Sequence, residues 1–88
     1  MATFKLLKNV DQLGLAALDL GSKTSTELNA DGNYFGLIEV TPDTGAAFTC
    51  IKLGPLYLWV NGDDFMASTA VPDNDITDGT AVNTDITP

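Results

Sequence analysis

Between residues 24 and 70 the chain alternates short apolar-rich runs with polar breaks. The runs, 24–30, 33–41, 46–53, 56–60 and 63–70, have strand length and are rich in Thr, Val, Ile and aromatic side chains, the types that fit a pleated, half-buried surface. The breaks carry turn chemistry. Asp31-Gly32 and Asn61-Gly62 are dipeptides that accept positive φ at both centres of a type I′ turn, so each predicts a two-residue hairpin. Thr41-Pro42-Asp43-Thr44-Gly45 reads as a type I turn with Pro42 in its second position, closed by Gly45 at positive φ, and Gly54-Pro55 is a further break. Strands joined in this way form a mainly β antiparallel meander, expected to close into a barrel or sandwich. Its core is expected from Tyr34 or Phe35, Leu37, Ile38, Phe48, Ile51, Leu58 and Phe65. A turn centred on Asn61-Gly62 sets Tyr57 against Met66, Leu58 against Phe65 and Trp59 against Asp64. That last pair implies a face that is wet or meets a partner.

The flanks are less regular. Thr3–Val10 suits another strand, with Phe4, Leu6 and Val10 on one face. Asp11–Leu20 fits either a short helix, with Val10, Leu13, Ala17 and Leu20 near helical spacing and Gly21 as its stop, or another strand, because Gly14, Leu15 and Leu18 fall off the stripe. Residues 71–88 contain no aromatic and no lysine, and their Val71, Ile76, Val82 and Ile86 follow neither period. The pattern therefore divides the chain into a single β domain, 1–70, and an extended acidic Thr/Asp-rich C-terminal arm, 71–88. Such an arm is expected to gain order by laying its backbone and those four aliphatics on an edge strand or groove of a neighbouring chain.

Charge narrows the function. The 88 residues carry 12 acidic and 4 basic side chains, a net charge of −8, with no histidine. Four scattered lysines cannot neutralise a phosphate array or hold an anionic membrane, so neither nucleic acid nor membrane is expected as a partner. No run approaches the ~20 apolar residues of a membrane span, and Met1–Lys8 lacks the apolar core of a secretory signal. Without histidine the Ser–His and Cys–His nucleophile pairs and imidazole metal sites fall away within one chain. Cys50 alone forms no intrachain disulfide and no zinc knuckle.

Several short motifs have ordinary readings. Asp43-Thr44-Gly45-Ala46 resembles the Asp-Thr-Gly-Ala signature of the retroviral-type aspartic proteases, whose dimers share a carboxylate dyad. Thr41-Pro42 replaces the apolar run that precedes it in that family, no Gly-rich flap follows, and a hairpin turn already accounts for Pro42, Asp43 and Gly45. Gly21-Ser22-Lys23-Thr24 lacks the spacing of a phosphate-binding loop. Asp73, Asp75 and Thr77 alternate as in the start of a calcium loop, but Asp78 and Thr84 stand where that loop needs Gly and Glu. Cys50, in mid-strand, reads as a small core residue, and Tyr57, Trp59 and Phe65 read as core aromatics before a ligand-stacking face. No catalytic residue, metal ligand or cofactor is expected, and the chain is not expected to be an enzyme.

In size, β content, Thr/Asp/Gly-rich character and tail, the chain resembles the small decoration or cement proteins of tailed-bacteriophage capsids. That resemblance implies a structural virion component that forms homo-oligomers and clamps the seams between capsid subunits, docking through its β domain and arm. Val71, Ile76, Val82 and Ile86 are then the partner-binding residues and the virion is the location. A second expectation, from charge alone, is a small cytoplasmic inhibitor that mimics the phosphates of DNA and occupies a nuclease; its carboxylates would need regular rows on a rigid surface.

Overall fold

The computed structural model describes residues 1–9, 20–32 and 35–83. Among these, six strands, β1 (Thr3–Asn9), β2 (Phe35–Thr41), β3 (Phe48–Leu53), β4 (Leu56–Asn61), β5 (Asp64–Ser68) and β6 (Thr80–Ala81), form one antiparallel sheet in chain order. The meander expected from the turns is therefore present. Its closure is not: β1 and β6 are the two edges and do not pair with each other. The reason is local. β6 is only two residues long and spends both on β5, while the second layer comes from a helix and the arm instead of a second sheet. The molecule measures 38 × 29 × 19 Å, and its thin axis matches two layers at ~10 Å each. The region 11–20, open between helix and strand, lies outside the described residues except for a 3-10 turn, Leu20–Ser22, against the sheet's β1 side.

Residues 24–30 are a helix, α1 (Ser25–Ala30), and not the strand that composition suggests. Thr24 and Glu27 form a capping box: Thr24 Oγ1 accepts from the Glu27 amide at 3.2 Å, and Glu27 Oε1 accepts from the Thr24 amide at 3.2 Å. Two otherwise orphaned donors are thereby satisfied, which outweighs the β preference of the threonines. Asp31 caps the other end, its amide donating to the Leu28 carbonyl, so Asp31-Gly32 ends a helix and turns no hairpin.

The β4–β5 turn also differs by one residue. Asn61 pairs with Asp64, so Gly62-Asp63 is the two-residue loop, and Gly62 alone takes a positive φ of 61°. This is the pattern of a type II′ turn, with Gly first. The consequence is a register in which Trp59 faces Met66 and Tyr57 faces Ser68. The awkward Trp59–Asp64 pair disappears. Gly54 opens the β3–β4 turn in the same way at φ 61°, and a side chain there would also strike the Gly32 carbonyl oxygen at 2.8 Å. Gly45 has the positive φ expected of it, 100°.

One face of the sheet is covered. Ile38, Val40, Cys50, Tyr57, Trp59 and Met66 point into a core completed by Phe4, by Leu28 of α1 and by Val71. Phe48 leans on Trp59 with ring centroids 6.2 Å apart. The described part of the arm does not extend from the domain. Val71 is 2 % exposed, Ile76 is packed against the core, and the Ile76 carbonyl accepts from Trp59 Nε1 at 2.8 Å. Asn29 Oδ1 accepts from the Val71 amide, Asp43 and Thr44 donate to the Asp73 and Asn74 carbonyls, and Val82 donates to the Phe65 carbonyl. Gly79 lies so close over Trp59 that a Cβ there would meet the indole at 2.5 Å. A large indole on a one-layer sheet must be sheltered from water, and the arm's backbone and small residues supply the shelter.

Candidate interaction surface

Alternation along each strand sends the other set of side chains to the opposite face. Leu37, Ile51, Leu58 and Ala67 form a cross-strand row over β2–β5. Phe35, Leu53 and Leu56 make a second row, and Val60 faces Phe65 beside them. Much of this surface is open to solvent: Val60 is 61 % exposed, Ile51 41 %, Phe65 40 %, and Phe35, Leu53 and Leu56 are similar. Monomeric proteins seldom leave a contiguous apolar area of this kind uncovered beyond a few hundred Å². Among the described side chains its charges are Lys5 and Glu39, which oppose each other in the β1–β2 register.

The same alternation accounts for the misplaced core. The expected set mixed both phases: Ile38 and Phe48 belong to the covered face, whereas Phe35, Leu37, Ile51, Leu58 and Phe65 belong to the open one, and Tyr34, the alternative to Phe35, lies outside the described residues. Both phases are apolar, so hydrophobicity alone does not separate them. The signal available in the sequence was the one-sided placement of the largest rings, since Tyr57 and Trp59 share a phase with each other.

On the covered side the groups with chemical potential are enclosed. Cys50 is free and fully buried, and burial pushes its thiol up to about 12, so no thiolate forms near neutrality. Lys52 is buried, and among the described residues no carboxylate lies within ion-pair distance of its ammonium. Its Nζ donates to the carbonyls of Asp31 and Gly54 and lies 5.2 Å from the centre of the Tyr57 ring. Burial lowers its pKa, and the negative charge of Asp31 acts the other way. Lys52 thus ties the end of α1 to the β3–β4 turn. The Tyr57 hydroxyl is buried and has no hydrogen-bond partner among the described residues, and burial raises its pKa, reinforced by Cys50 and Asp31.

Of the four aliphatics expected to bind a partner, Val71 is buried in the chain's own core, Ile76 is half-buried against it, Val82 is half-buried beside β5, and Ile86 lies outside the described residues. Asp43 sits in an exposed turn and meets the Met1 amino group at 2.9 Å. Asp75 uses Oδ1 to accept from the amide and hydroxyl of Thr77, at 3.0 and 3.1 Å. Among the described residues no cluster of three or more Asp, Glu or Cys is placed to hold a metal ion, and no helix is long and apolar enough to cross a membrane. The chain matches no family model, no curated protein and no solved structure.

Proposed function

We propose that the chain is a structural assembly protein, a virion component of the capsid decoration or cement kind, acting through contacts with neighbouring capsid subunits and with copies of itself. The observation that supports this reading is the open apolar face: among the described residues one face of the sheet is packed and the other leaves large apolar side chains exposed, as a subunit's contact surface does. The virion as the site of assembly rests on the overall resemblance to small phage decoration proteins, in size, β content and Thr/Asp/Gly-rich character. The contact is carried by the sheet, because the arm's Val71 and Ile76 are already engaged.

Fractionation of the native protein on a density gradient tests the proposal. We expect it to sediment with large particles and to be released as a small species when they are dissociated. A protein that stays at the top of the gradient, and instead binds a nuclease from which DNA displaces it in a salt-sensitive way, would replace this reading with the acidic inhibitor.

A further inference from the structure

We infer that the open face of the sheet is covered by a second copy of the same chain, packed sheet against sheet. The inference rests on the reading of that face as a protein-contact surface and adds what covers it. Three observations favour a copy over an unrelated partner.

The first is charge. The chain carries −8, yet the open face is neutral among its described side chains, with one lysine opposite one glutamate. Glu27 of the helix, Asp31 at its C-terminal cap, and Asp73, Asp75 and Asp78 of the arm belong to the segments that cover the other face. Two copies meeting by their open faces therefore turn their acidic layers outward, where solvent and salt screen them. A strongly basic partner would find little to hold on this surface.

The second is area. Five strands at ~4.8 Å spacing and about six residues each at ~3.3 Å give a face on the order of 500 Å², so two copies enclose about 1,000 Å² in total, near the floor for a specific interface. The third is shape. The rows Leu37–Ile51–Leu58–Ala67 and Phe35–Leu53–Leu56 present side chains at regular sheet spacing, and such surfaces interdigitate across ~10 Å in aligned sandwiches. The sandwich that is missing within one chain is completed between two.

Sedimentation velocity of the purified full chain over a concentration series, at low and high salt, decides the matter. We expect a reversible species of twice the 9.3 kDa monomer mass, more populated at high salt because screening relieves the mutual repulsion. Ile51→Glu should abolish it while the circular dichroism spectrum stays that of the wild type. Should that variant fail to fold, Val60→Lys, at the most exposed of the apolar strand positions, is the substitute. A wild type that remains monomeric at every concentration and salt overturns the inference, as does a dimer indifferent to both substitutions. A monomer that still sediments with particles, and loses them on Ile51→Glu, assigns the face to a particle subunit and leaves the proposed function standing. A dimer lost on Ile51→Glu in a protein that never joins particles supports the inference and removes the virion reading.

Discussion

On the covered face of the sheet Ile38, Cys50, Tyr57 and Trp59 are sealed from solvent, whereas on the open face Ile51, Phe65 and Val60 keep two-fifths or more of their surface exposed. The two sets alternate along the same strands and are equally apolar. What separates them is the cover: Leu28 of α1, Val71 and the backbone around Gly79 lie over one face only. In a chain this small, one core is as much as folding can complete. The second apolar face is then free to serve contacts between molecules, and substitutions on the two faces should behave differently.

The largest difference is expected between Trp59→Ala and Ile51→Glu. Emptying the indole site should cost ~3–5 kcal/mol, a large part of a small domain's stability, while Ile51→Glu should change monomer stability by about 1 kcal/mol or less. Chemical denaturation of both variants at low protein concentration checks this, and equal losses would erase the distinction between the faces. Truncation after Ala70 should act like Trp59→Ala, because it removes Val71 and uncovers the indole; a red-shifted Trp59 emission would report the exposure.

Alkaline pH probes the covered face through Cys50, Lys52 and Tyr57. Cys50 and Tyr57 have folded-state pKa values above their ordinary ones of 9.0 and 10.0, so the stability they contribute is fully present below pH 9 and is lost as pH rises, for Cys50 through about 12. Lys52 is shifted the opposite way. The unfolded chain holds its proton more tightly, so its contribution rises with pH and is complete above its ordinary 10.5. Beyond that point the thiol and phenol act unopposed, and stability should fall steeply. Cys50→Val should flatten the fall, and the wild-type thiol should resist a thiol reagent until the protein unfolds.

Gly54→Ala should cost ~1–3 kcal/mol through its positive φ, aggravated by the 2.8 Å approach to the Gly32 carbonyl. Gly45→Ala, also at positive φ but with open space around it, should cost less. The smallest effect has the opposite sign. Tyr57→Phe removes a buried hydroxyl that has no partner among the described residues and should raise stability by about 1 kcal/mol. A loss of that size would mean that the hydroxyl is bonded in solution.

The meander was legible because its signals are local. Gly54-Pro55, the Thr41–Gly45 turn and the β-rich runs between them place β2 to β5 within a few residues. Two features with equally local signals were masked by stronger neighbours. The Thr24…Glu27 capping box was hidden by two threonines in three residues, Thr24 and Thr26, that suggest strand, and the Gly62-Asp63 turn was hidden by Asn61-Gly62, which suits a different turn type. The arm was illegible for another reason. Val71, Ile76 and Gly79 cover a sheet by following its contour, and irregular cover has no period to detect. The open face was visible as apolar residues but not as a face, since both phases of the alternation were hydrophobic and only the tertiary cover chooses between them.

The most direct test of the contrast between the faces is the melting temperature of the wild type and of Ile51→Glu over a wide range of protein concentrations. A copy that binds only the folded chain stabilises it by mass action, so the wild-type melting temperature should climb with concentration while that of Ile51→Glu stays level, the two converging at high dilution. Melting temperatures that are independent of concentration in both proteins would contradict the claim that the open face is covered by a second copy.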